Sequence, residues 1–160
     1  GLKVVAATMA ELSRRGVPHR LLVVGDGPAR AEFERQVPEA VFTGFLSGTA
    51  LGRAYASFDM FLNPSTTETF GNVTLEAMAC GAPPIGANAP GSRSLILDHE
   101  TGRLVPPGNV AGFADAVEAY VRDEALRQRH ATASHRRALE YDWDTINDQL
   151  IDRYFAIADG

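Results

Sequence analysis

The chain has 160 residues, 45% of them hydrophobic and 22% charged, which gives one domain room for a real core and excludes a disordered segment. Its net charge of −5 argues against nucleic acid as a partner, because phosphate-backbone binding normally uses a clustered basic face. No apolar run approaches the roughly 20 residues of a membrane span, and no stretch has the composition of a signal peptide. The single Cys80 excludes an internal disulfide and suits a reducing compartment, so the cytoplasm is the expected location.

In chain order, Val4, Val5, Thr8, Met9 and Leu12 recur at helical spacing, and Gly16 with Pro18 ends the run. The chain enters this helix at once, from Gly1 and without a methionine, so it is expected to be a portion of something longer. The apolar run 20–24 predicts a buried strand, closed by Gly25-Asp26-Gly27-Pro28. A helix is expected over 28–36, with proline early, where its missing N–H costs nothing. A short strand over 40–43 ends at Gly44, a helix follows over 47–57, and a strand over 59–62 stops at Asn63-Pro64. The spacing then predicts a helix over 71–80 closed by Gly81, strands over 83–87 and 103–105, and helices over 110–122, 124–139 and 143–158.

Strands alternating with helices predict an α/β fold. The expected form is a doubly wound, Rossmann-like parallel sheet, with residues 1–160 forming one domain. Such sheets bind ligands beyond the carboxyl ends of their strands. A six-strand sheet of this kind places its first strand centrally, yet no strand precedes the first helix here. The expected consequences are an excised first strand, a strand lent by a neighbouring chain, or a sheet that has closed up, and the first is favoured.

Two strand ends carry candidate chemistry. Gly25 and Gly27, between a strand and a helix, are similar to part of the dinucleotide fingerprint. Arg30 takes the place of its third glycine, and no acidic residue ends a strand about 20 residues on, which disfavours an NAD-dependent oxidoreductase. A structural turn is the plainer reading of that run.

The segment from Asn63 to Gly81 is richer. It leaves a strand and opens a helix near Gly71, so the free amides of Gly71, Asn72 and Val73 can face an anion, and Gly71 lets a phosphate approach the backbone. Glu68 before the helix and Glu76 inside it flank that place. A carboxylate accepts two hydroxyls at once, which suits a ribose diol or neighbouring hydroxyls of a hexose. The bland alternatives are a Ser65-x-x-Glu68 capping box and a solvated Glu76.

Glu68 through Gly81 with Pro83 resembles the signature of family 4 glycosyltransferases, in which Glu, Phe-Gly, Leu-Glu-Ala-Met-Ala and Gly-x-Pro recur in this spacing. The likeness extends through Gly25-Asp26-Gly27-Pro28, Phe42-x-Gly44, Tyr55-x-x-x-Asp59, Pro64-Ser65, Thr101-Gly102-x-Leu104-Val105-x-Pro107-Gly108 and Trp143. It implies the C-terminal, donor-binding half of a GT-B enzyme, which transfers a hexose from a nucleoside diphosphate to an alcohol with retention and needs no metal or other cofactor. Glu68 would contact the transferred sugar as the catalytic candidate. Phe70, Gly71, Asn72 and Val73 would meet sugar and diphosphate, Glu76 the ribose, and Gly44, Phe45 and Leu46 the base, with Gly25 and Gly27 also kept as donor-binding candidates.

The likeness also implies an N-terminal domain upstream of Gly1 that grips a sugar or lipid acceptor and carries any peripheral membrane contact. Two departures from the family pattern stand out: Ser94 where glutamate is usual, and Pro84 where valine is usual. Other readings of the same fold are a nucleotide-sugar epimerase and a non-catalytic nucleotide-binding module.

Other features read as structural. Asp142-Trp143-Asp144 spells a metal-binding Asp-x-Asp, but Asp144 suits an N-cap and Trp143 a core anchor. His130 and His135 lie five apart, a poor helical spacing for one metal ion. Phe113 and Tyr120 form a core stripe.

Overall fold

The computed structural model describes residues 1–142 together with residue 151. It runs α1 (Leu2–Arg14), β1 (Leu22–Val24), α2 (Arg30–Gln36), β2 (Val41–Gly44), α3 (Gly48–Ala56), β3 (Phe61–Asn63), α4 (Asn72–Ala79), β4 (Pro84–Ala87), α5 (Pro90–Leu95), β5 (Arg103–Val105), α6 (Val110–Arg122), α7 (Glu124–Ala138) and a 3₁₀ turn at Leu139–Tyr141. The helix expected over 143–158, with Trp143 and Asp144, lies outside the described residues.

The expected alternation is present, and every strand pair is parallel. Helices cover both sides. Ile85 and Ala87 of β4 pack in one cluster with Leu12 of α1 and Phe113, Val117 and Tyr120 of α6. Gly86 between them turns the opposite way, where a side chain would run into Ile96 and Ser92. Leu95 and Ile96 join Met78 of α4 and Ala138 of α7 in a second cluster. Arg15 ties α1 to α6 through Asp115 at 2.6 Å and Glu118 at 3.1 Å. Two expectations need adjustment. The short helix α5 was not foreseen, because six residues carry too little periodicity to be legible. The helix over 124–139 gives way after Ala138 to the tighter 3₁₀ turn.

The described strands form two sheets, β1 with β2 and β3-β4-β5. Hydrogen bonds join neither β1 nor β2 to β3, so the sheet has not closed up, and that expectation is corrected. Leu22 and Val24 of β1 line one cavity with Phe61 and Leu62 of β3, which puts the strands in the order β2, β1, a break, then β3, β4, β5. One further parallel strand at the break would complete the 3-2-1-4-5-6 order of a doubly wound sheet. Burial follows the same division. All four residues of β4 are buried, whereas Leu22, Val23 and Val24 of β1 and Phe61 and Leu62 of β3 are only half-buried. The run 20–24, expected to be a buried strand, is therefore incompletely covered. A cavity of about 1070 Å³ occupies the break, lined by Leu22 and Val24, by Phe61 and Leu62, and by Val5 and Met9 of α1.

The buried Tyr120 hydroxyl and His130 Nδ1 lie 2.7 Å apart. Burial holds the His130 pKa below its ordinary value, and the Arg103 and Arg129 charges act in the same direction. The unfolded chain therefore takes up this proton at a higher pH than the folded chain. Stability from this group is complete above about pH 6.5 and declines as pH falls toward the folded value, by at most about 1.4 kcal/mol per pH unit. Urea unfolding of the wild type and His130→Gln checks this. The wild-type midpoint should fall more steeply below about pH 6.5, and parallel profiles would contradict the assignment.

Candidate functional site

The segment that leaves β3 is built around Asn63, the last residue of that strand and 8% exposed. Its amide nitrogen donates to both oxygens of Glu68, at 3.2 Å each, and to the Thr74 hydroxyl at 3.1 Å. Its carbonyl oxygen accepts the Ser65 amide at 3.2 Å. One side chain thus ties together the strand end, the loop carboxylate and the first turn of α4.

Gly71 caps α4 in the left-handed region, at φ 92° and ψ 49°, and has no side chain to give the helix. The Asn72 and Val73 amides consequently meet no capping group, and both residues are exposed. Ser65 and Glu68 do not form the capping box, since the cap falls three residues beyond Glu68. A side chain at Gly71 would also stand 3.1 Å from Glu68 Oε2. Gly91, at the start of α5, is confined more strictly, because a Cβ there would overlap the Glu68 carbonyl. The glutamate is pressed from one side by α5 and held from the other by Asn63.

Glu76, the fifth residue of α4, is exposed, as the solvated reading expected, but it is not free. The Tyr55 hydroxyl of α3 donates to its Oε2 at 3.0 Å. Burial, then the Glu76 carboxylate, raises the Tyr55 pKa well above the usual tyrosine range, so this hydroxyl stays protonated. Glu68 and Glu76 are both held by neutral donors, Asn63 and Tyr55.

The other candidates divide. The Gly25 amide donates to the Gly44 carbonyl at 2.8 Å, which joins the loop after β1 to the end of β2. Beyond that contact, Phe45 is 80% exposed. The cavity at the sheet break is lined by Gly25, Phe45, Leu46, Val73 and Glu76, and also by Asn63 and Tyr55. Gly27, Gly44, Glu68, Phe70, Gly71 and Asn72 stand outside its lining. Glu68 reaches it only through Asn63, and Phe70 packs edge-on against Tyr141, 5.7 Å between ring centroids. The arrangement offers an exposed helix start flanked by two carboxylates, beside a concave surface with an exposed aromatic ring at its rim.

Sequence reasoning missed Asn63, Tyr55 and Gly91 as builders of this place. Asn63 carried a signal only as a strand stop. Tyr55 stood in a family-like run that gave it a helix but no partner, and Gly91 fell in the helix that was not foreseen.

A model of the family described as "Glycosyl transferases group 1" matches residues 1–123. Over 139 residues the chain is 42% identical to a GDP-mannose-dependent alpha-mannosyltransferase of Mycobacterium tuberculosis, covering 86% of this chain and 36% of that protein. It is 34% identical over 144 residues to the sulfoquinovosyl transferase SQD2 of Arabidopsis thaliana, covering 87% of this chain and 28% of that one. The chain thus spans about a third of the length of these curated relatives. Among solved structures, Anabaena Alr3699/HepE in complex with UDP-glucose superposes with a TM-score of 0.83 at 25% identity, over 98% of this chain and 45% of that one. Sucrose-phosphate synthase of Thermosynechococcus elongatus gives 0.82 at 28% identity, over 98% and 42%.

The crowding at Gly91 yields a direct test. Gly91→Ala must displace the Glu68 loop and should cost about 1–3 kcal/mol, as overpacking of a filled site does. Gly52→Ala, in helix α3 with open space around it, should be neutral or slightly stabilising. Urea midpoints of the two variants measure the difference, and equal midpoints would contradict the packing described.

Proposed function

Since the chain belongs to the group 1 glycosyl transferases, we propose that it is the donor-binding part of a retaining family 4 hexosyltransferase, whose acceptor is held by residues outside 1–160. Its fold is the parallel α/β arrangement of the C-terminal domain of a GT-B glycosyltransferase. The observation that carries the reading is the uncapped start of α4, with Glu68 before it and Glu76 inside it.

In this reading the Asn72 and Val73 amides receive the diphosphate of the donor. A helix terminus contributes about 0.3–1 kcal/mol toward an anion, and each charge-assisted hydrogen bond about 1.5–3 kcal/mol. Negative charge grows on the diphosphate as the glycosidic bond breaks, so preorganised amides favour the transition state over the ground state. Glu68, held by Asn63, accepts hydroxyls of the hexose and fixes its orientation. Glu76 accepts the ribose hydroxyls. Gly44, Phe45 and Leu46, with Gly25 and Gly27 beside them, frame the base. No cofactor or metal enters, because the helix amides take the role of counter-charge. The names of the mannosyltransferase relatives make GDP-mannose the first donor to test. An α product from an α-linked donor is what retention gives. The cytoplasm, where nucleotide-sugars are made, is the proposed location.

The break between β1 and β3 belongs to the same proposal. A parallel strand from outside residues 1–160 fills it, next to the acceptor-binding part of the polypeptide. The sheet order and half-burial of the two facing strands support this.

Two outcomes follow. Glu76→Ala should weaken binding of free GDP or UDP about tenfold or more, whereas Glu68→Ala should weaken only the sugar conjugates. Titration calorimetry with GDP, UDP, GDP-mannose and UDP-glucose measures both, and equal losses for both variants on every ligand would contradict the division. Purified residues 1–160 should transfer no sugar to a panel of lipid and sugar acceptors while retaining nucleotide affinity. Sustained glycosylation by that fragment would show that the active site is complete within it and wrongly placed here.

A further inference from the structure

We propose that Tyr55 is a positioning residue for nucleotide recognition: by holding one oxygen of Glu76 it turns the other toward the ribose diol. The proposal rests on the reading of Glu76 given above. Tyr55 is 7% exposed and its ring is wedged edge-on against Phe58 and Phe61, at centroid distances of 5.5 and 6.0 Å. Aromatic packing therefore sets where its hydroxyl stands, and that hydroxyl donates to Glu76 Oε2 at 3.0 Å. A glutamate on an exposed helix face otherwise samples several rotamers, and each hydroxyl bond to a ligand would then carry the entropy of choosing one. Fixing Oε2 through a buried donor meets that cost on folding.

The choice of donor also matters. A lysine or arginine in this place would fix the carboxylate equally well but neutralise it. A phenol orients it, leaves its charge, and leaves Oε1 and a lone pair of Oε2 for two hydroxyls. Tyr55, Glu76 and Val73 line the same cavity, and Val73 and Glu76 are neighbours on one face of α4. Glu76 thus lies on the cavity that the second residue of α4 also lines.

The test is Tyr55→Phe, which keeps the ring and removes the hydroxyl. GDP and UDP are titrated against the wild type, Tyr55→Phe, Glu76→Ala and the double variant, alongside the 2′,3′-dideoxy form of each nucleotide. Tyr55→Phe should raise the Kd of the ribonucleotides about three- to fifteen-fold and leave the dideoxy forms within about twofold. Added to Glu76→Ala it should have no further effect, and its thermal midpoint should match the wild type. A purely structural tyrosine would instead weaken both sugars alike or lower the midpoint, and either result overturns the proposal. So does an unchanged ribonucleotide Kd where Glu76→Ala raises it, with the reading of Glu76 left standing. If Glu76→Ala changes nothing, or neither nucleotide binds the wild type, that reading fails and the Tyr55 role falls with it.

Discussion

Asn63 sits where a strand ends, a loop turns and a helix begins, and its buried amide is the one group that touches all three. An amide has two hydrogens. Here one is shared by the Glu68 oxygens and the other goes to the Thr74 hydroxyl, so its donor capacity is fully used. Without it, Glu68 would stand against α5 with no counterpart, and the left-handed turn at Gly71 would lose its link to the strand. The helix start is exposed because this node, rather than a side-chain cap, holds the entry to α4 in place. A local constraint on one buried amide thereby leaves two helix amides open to a ligand.

That arrangement is compatible with the anionic donor proposed for an acidic chain. The amides at the start of α4 carry partial positive charge that leaves no trace in the composition. The two carboxylates pair with Asn63 and Tyr55 rather than with cations, and the proposed reading assigns them to sugar hydroxyls. In the proposed reading, amides toward phosphate and carboxylates toward hydroxyls divide a nucleotide-sugar between them. The donor reading draws on this complementarity as much as on the relatives.

Much of the fold was legible because it rests on local patterns. The stripe of Phe113, Val117 and Tyr120 on α6, and the breaker Gly81 after α4, mark their elements by spacing alone. Glu68, Gly71 and Glu76 were legible because strand end, glycine and carboxylates fall within fourteen residues of one another. Tyr55 was not, because its bond to Glu76 joins residues 21 apart on different helices, a contact that no periodicity encodes. Gly91 escaped for a related reason: its importance lies in the Glu68 backbone it touches. The half-burial of β1 and β3 also depends on what lies between them, and the apolar run 20–24 looks the same with or without a neighbour.

The break in the sheet meets α4 at the cavity that Val73 and Glu76 line, so a strand filling the break would bring its carboxyl end close to the proposed donor site. In the proposed reading, a helix start held by Asn63 receives the diphosphate without needing that strand. Amide NMR of residues 1–160 during addition of GDP, and separately of UDP, reads that directly. The account predicts that the largest downfield shifts fall on Asn72 and Val73, as phosphate oxygens accept their protons. Shifts that leave those two amides unmoved while others report saturable binding would contradict it.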